Sequence, residues 1–96
     1  MKSQASRHLS SLSDEIERTR AHLHRLRDRL EVQQAALEEQ RLRMLIAETP
    51  LADRDLHAVA DGYLLLSREV RRIEDALDTL HAERSRLTRR HAATGA

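Results

Sequence analysis

Two ladders of apolar residues, each stepping alternately by three and four, restrict this chain to one kind of fold. Leu9, Leu12, Ile16, Thr19, Leu23, Leu26, Leu30, Gln33, Leu37, Gln40, Met44 and Ala47 form the first. Leu56, Val59, Tyr63, Leu66, Val70, Ile73, Leu77, Leu80 and Leu87 form the second, interrupted only by Arg84. Such spacing puts one narrow stripe on an α-helix, and its persistence over several heptads is the mark of a coiled-coil seam. The single proline, Pro50, stands between the ladders. The pattern predicts an all-α, antiparallel two-helix hairpin. A hairpin of this kind covers its remaining apolar surface by dimerising into a four-helix bundle.

Composition narrows the class further. Aromatic residues make up 1% of the 96 residues and charged residues 34%. A globular core draws much of its buried area from aromatic rings, so long two-sided helices suit this chain better. A net charge of +1 gives no global field toward nucleic acid or membrane. Cysteine is absent, which excludes disulfides, thiolate catalysis and cysteine-bound metal. No apolar run reaches the length of a membrane span, and the first residues are too polar for a secretory signal. The expected setting is cytoplasmic, and the preference for arginine over lysine suggests a GC-rich bacterial genome.

The boundaries follow from local chemistry. Residues 1–10 are polar and are expected to be flexible. Ser11, with Asp14 three residues on and Glu15 and Glu17 nearby, reads as a helix start favoured by acids at the positive end of the dipole. Helix one is expected over about 11–48, a turn over about 49–52, helix two over about 50–92, and a frayed tail over 93–96. Thr49 is the expected N-cap of helix two, because proline disfavours helix before it and suits the first helical position.

Charges beside the seams set the orientation. Helix one carries Arg20, Arg27 and Arg41 on one flank and His22, Arg29 and Arg43 on the other. Helix two carries Asp55, Glu69 and Glu83 on one flank and Glu74 on the other. An antiparallel register with Met44 on Val59, Leu37 on Leu66, Leu30 on Ile73 and Leu23 on Leu80 pairs His22 with Glu83, Arg27 with Glu74 and Glu15 with Arg90. It also sets Gln40 opposite Tyr63. A register shifted by one heptad satisfies the seam equally well.

Two regions depart from a plain hairpin. Near the turn, Leu42, Leu45, Ile46, Leu64 and Leu65 lie off both seams, and they form the candidate interaction patch for a second copy or a different protein. At the other end Arg84, Arg86, Arg89 and Arg90, with Lys2, Arg7, His8 and His91, form a basic pole. The four arginines there are candidate contacts for an anion or nucleic acid, although cations also simply complement a helix C-terminus. Six histidines are present. They give only single acid–histidine pairs, such as His57 with Asp53 and Asp61, and His81 with Asp78. No Glu-x-x-His set, nucleophile–base pair or glycine-rich phosphate loop exists, so neither metal, cofactor nor catalysis is expected.

The stretch LHAVADGYLLLSREVRRIEDAL from Leu56 resembles the second hairpin helix of Gre transcript-cleavage factors at His57, Ala58, Val70, Ile73 and Glu74. That resemblance implies an antiparallel hairpin with an acidic, metal-holding tip acting on RNA polymerase. Thr49 and Ala52 occupy the positions of that family's acids, with Glu48, Asp53 and Asp55 nearby. Ser67 to Glu83 also resembles the helix of RsiG-type anti-sigma factors, which bind cyclic di-GMP. Ser67 and Asp78 keep that spacing, whereas Tyr63, Val70 and Glu74 replace its Glu, Arg and Gln. The reading from the residues themselves is a non-enzymatic protein–protein interaction module, an adaptor, chaperone or regulator of a partner. The alternative is a transcription regulator acting on RNA polymerase or a sigma factor, responsive to a ligand or nucleic acid.

Overall fold

The computed structural model describes residues 3–94 and consists of two α-helices packed as a hairpin. Helix α1 spans Gln4–Ala47 and α2 spans Pro50–Ala93, each 44 residues long. Among the described residues there is no strand, and no helix is long and apolar enough to cross a membrane.

Helix α1 begins well before Ser11, so the flexible segment expected over residues 1–10 is helical from Gln4 onward. Met1 and Lys2 lie outside the described residues, as do Gly95 and Ala96 of the expected tail. Ser3 supplies the cap: its Oγ accepts from Ser6 N at 3.1 Å, and its carbonyl accepts from Arg7 N at 3.0 Å. Ser3 has no acid three residues later, so the reciprocal capping-box signature is missing. The apolar ladder itself is what extends the helix. Leu9, at its first rung, shares a cleft with Leu87 and gives this part of α1 a partner.

The turn is two residues, Glu48 and Thr49, shorter than the expected 49–52. Glu48 adopts a left-handed backbone (φ 48°) and donates its N–H to the Met44 carbonyl at 2.9 Å. This is the αL helix stop that normally selects glycine. Thr49 then caps α2 as the sequence implies. Its Oγ1 accepts from Ala52 N at 3.1 Å and its carbonyl from Asp53 N at 3.0 Å. Pro50 occupies the first helical position, where its missing N–H costs nothing.

The chain divides into two compact units, Met1–Leu23 with Arg72–Ala96, and His24–Arg71. In the first, Leu12, Ile16 and Leu23 of α1 and Ile73 of α2 are buried, Ile16 to 1% exposure. In the second, Leu26 and Leu37 of α1 and Val70 of α2 are buried. All seven belong to the predicted seams. The polar interruptions Thr19, Gln33, Gln40, Arg84 and His91 are half-buried, and among the described residues no buried side-chain polar atom lacks a partner.

The register is the heptad-shifted one. Gln33 lies beside Gly62, with its Nε2 3.0 Å from where a Cβ would stand. Thr19 shares a groove with Ala76 and Leu80, and His22 shares it with Ile73. Glu83 accordingly meets His8 (3.8 Å), not His22. The earlier alignment centres the hairpin beyond Pro50, which a stop at Glu48 forbids.

Adjacent substitutions in the turn are expected to act in opposite directions. Thr49→Ala removes the cap and lowers stability by about 1 kcal/mol. Glu48→Gly relieves the left-handed strain and raises it by about 0.5–1 kcal/mol. At this chain length each corresponds to a shift of roughly 4–8 °C per kcal/mol in thermal melts followed by circular dichroism.

Candidate functional site

Large apolar side chains that remain exposed mark the most distinctive surface. Among the described residues they are Val32, Leu42, Leu45, Ile46, Leu51, Leu64 and Leu65, and every one of these belongs to the His24–Arg71 unit. Ile46 is 86% exposed, and even Leu64, the least exposed of them, reaches 47%. The five residues picked out by sequence are all in this set. Val32 and Leu51 are the two that sequence reasoning missed. Val32 stands two residues past a seam leucine and Leu51 sits in the first turn of α2. Val32 is a lone apolar residue between Glu31 and Gln33, and Leu51 stands between Pro50 and Ala52 at the start of α2, so neither belongs to a run that draws attention.

Leu65 and Leu45 of this set open onto different grooves. A helix cannot present a seam and its far side to the same place, and successive residues are turned by about 100°. Leu64 and Leu65 therefore flank the α2 seam on opposite sides. A groove of this unit, about 760 Å³ and open to solvent, is lined by Leu26, Asp28, Arg29, Val32 and Gln33 of α1 and by Gly62, Leu65, Leu66 and Glu69 of α2. Leu45 lines a separate groove with Arg41, Met44, Glu48 and Leu56. Gly62 lines the first groove beside the Gln33 amide.

Arg84 occupies a seam position, half-buried, with Nη2 3.3 Å from His81 Nδ1. Arg86 lines a shallow surface with Thr79, Ala82 and Glu83. Arg90 lines a small cleft of about 280 Å³ with His8, Leu9, Leu87 and His91. Arg89 is exposed and borders neither. Arg84 is thus held apart beside His81, whereas Arg86, Arg89 and Arg90 stand three and four residues apart on one face of α2. Lys2 of the expected pole lies outside the described residues. The acids near the turn are scattered. Among the described residues no three His, Asp or Glu side chains gather closely enough to hold a metal ion. Gln40 and Tyr63 are both half-buried on their seams, and the observed register moves them out of the layer expected to pair them.

The imidazole of His57 departs from its ordinary proton affinity. It is exposed on α2, and its affinity for a proton is raised above the ordinary histidine value of 6.5. The largest cause is the hydrogen bond its Nδ1 makes with the Asp53 carbonyl at 2.8 Å. The Asp53 carboxylate at 3.6 Å adds to it, and Asp61 adds a smaller attraction. This is one histidine between two acids of its own helix, with no ligand from α1.

Comparisons with known protein families, with curated proteins and with solved structures find no match to this chain.

Two outcomes are expected at these residues. A proton titration of His57 by NMR gives a midpoint above that of an unstructured histidine, and Asp53→Asn lowers it. Because the folded value is raised, the stabilisation from His57 is fully present below about pH 6.5. It fades as pH rises through the folded midpoint, and His57→Ala flattens that part of the stability profile. At Gly62 an added methyl meets only the movable end of Gln33, while alanine gains about 0.8–1 kcal/mol of helix propensity over glycine. Gly62→Ala should therefore raise the urea midpoint with an unchanged slope. A lower midpoint would show that the Gln33 amide is fixed.

Proposed function

We propose that this chain is a non-enzymatic interaction module whose turn-proximal unit associates through its exposed apolar side chains. The first partner is a second copy, which completes a four-helix bundle. Another protein is the target that the assembled module serves as adaptor, chaperone or regulator. A cytoplasmic setting and the absence of catalysis belong to the same proposal. The observation that carries it is the uneven distribution of apolar surface. The His24–Arg71 unit leaves seven large apolar side chains exposed, whereas among the described residues of the other unit there are none.

Magnitudes favour association. Covering one leucine contributes roughly 1.5–3 kcal/mol. A few such side chains, doubled by two-fold symmetry, match the ~4–15 kcal/mol that association costs in lost freedom. Two-helix hairpins often cover apolar surface in this way. Exposed ion pairs such as Arg43–Glu39 and His24–Asp28 contribute about 0–1 kcal/mol each and do not offset that exposure.

Replacing Leu45 and Leu65 together with Glu tests the reading on both grooves at once. Far-ultraviolet helicity should stay largely intact, while the sedimenting species shifts from dimer to monomer. A double variant that keeps the wild-type mass would show that the copies meet elsewhere. A wild-type chain that is monomeric at high micromolar concentration would overturn self-association and leave the surface to a foreign protein.

A further inference from the structure

The total charge of +1 conceals a local separation of charge. Residues 84–94 of α2 carry Arg84, Arg86, Arg89 and Arg90 with no acid, and residues 3–13 carry Arg7 with none. Both segments belong to the unit of Met1–Leu23 and Arg72–Ala96, and they meet at the cleft of about 280 Å³. Its lining joins Ala5, His8 and Leu9 of α1 to Leu87, Arg90 and His91 of α2, and includes no acidic side chain. The acids that bound the two segments are Asp14 and Glu83. Glu83 lies 3.8 Å from His8 and shares a shallow surface with Arg86.

Arg86, Arg89 and Arg90 are all exposed and fall within about 100° of the helix circumference. Among the described residues none of the three forms an ion pair. Elsewhere exposed arginines hold acids of their own helix, as Arg43 holds Glu39 and Arg20 holds Glu17. Helix dipoles do not account for the excess. A cation in the last turn of α2 complements its free carbonyls, which covers Arg90 and His91. Arg86 stands a full turn further in, beyond the reach of that effect. At the same end the first turn of α1 favours acids and has none.

We infer that this arginine face is a docking surface for the phosphate backbone of duplex nucleic acid. It lies in the unit that self-association does not use, so the two readings stand or fall separately. Guanidinium groups meet phosphate oxygens as two-pronged donors. A duplex presents one negative charge per about 1.7 Å of its axis. Side chains three and four residues apart stand about 5–6 Å from one another, so one face of α2 reaches several phosphates at once. Single strands are gripped by aromatic stacking, and the only Phe, Tyr or Trp of the chain, Tyr63, belongs to the other unit. An anionic membrane is held by apolar side chains inserted beside the cations. Among the described residues this unit exposes no large apolar side chain. Contacts to phosphate alone position a duplex without reading its sequence.

The test titrates the full chain onto a short fluorescent DNA duplex, read by anisotropy at a series of salt concentrations. Three phosphate contacts give a slope of log affinity against log salt of about −2.7, or roughly fortyfold weaker binding for each fourfold rise in salt. A duplex of scrambled sequence should bind equally well. Arg86→Gln, Arg89→Gln and Arg90→Gln together should abolish that slope, about one unit for each arginine, while the corresponding lysine triple keeps it. Arg25→Gln, Arg41→Gln and Arg54→Gln remove the same charge from the other unit and should leave the slope unchanged. Circular dichroism verifies the helices of each variant. The single Arg→Gln changes, each lowering the slope by about one, serve if the glutamine triple loses helicity. Equal weakening by the two glutamine triples overturns the choice of face, because net charge alone would then govern binding. No duplex binding at low salt overturns the inference, and capture by phosphatidylserine vesicles in that case assigns the arginines to a membrane surface instead.

Discussion

The two-residue turn is the constraint on which the remaining geometry depends. Glu48 stops α1 in a left-handed conformation, and Thr49 starts α2 at once with its own hydroxyl as cap. With no slack between the helices, the layer facing each rung is decided at the turn. That choice places Gln33 beside Gly62, His8 beside Glu83, and Thr19 in a groove with Leu80. A turn longer by a few residues would keep the same seams and change every one of these pairs.

The seams were fully legible because burial of one stripe per helix is a periodic demand, and period survives in the sequence. Ile16, Leu23, Leu26, Val70 and Ile73 are buried where the ladder puts them. The register was not legible from the ladder, since a heptad repeat matches itself after a shift of seven. The proline carried the missing information. A helix that starts at Pro50 cannot share a hairpin centred beyond it. The start of α1 was obscured for a different reason, because Ser3 caps with its hydroxyl alone and the acids near Ser11 are interior to the helix.

The candidate surface shows the same division. Sequence identified Leu42, Leu45, Ile46, Leu64 and Leu65 as off the seam, and all five are exposed. It did not separate the sides on which they lie, which requires knowing how the flanks of both helices come together. Leu65 joins Val32 in the groove beside Gly62, and Leu45 opens onto a different one. At the basic pole Arg84 is drawn into the seam beside His81, while Arg86, Arg89 and Arg90 keep the three- and four-residue spacing of one helix face.

A short turn also orders assembly in time. Contacts near it, such as the groove shared by Met44 and Leu56, close small loops and lose little chain entropy. The cleft shared by Leu9 and Leu87 spans nearly the whole chain, and each doubling of loop length adds about 0.6 kcal/mol to direct closure. Zipping from the turn avoids that expense, because each docked layer shortens the effective loop for the next. The apolar residues left exposed lie on the side of the chain that this order brings together first. That surface is therefore assembled before the terminal halves have paired, and it is exposed to solvent throughout folding.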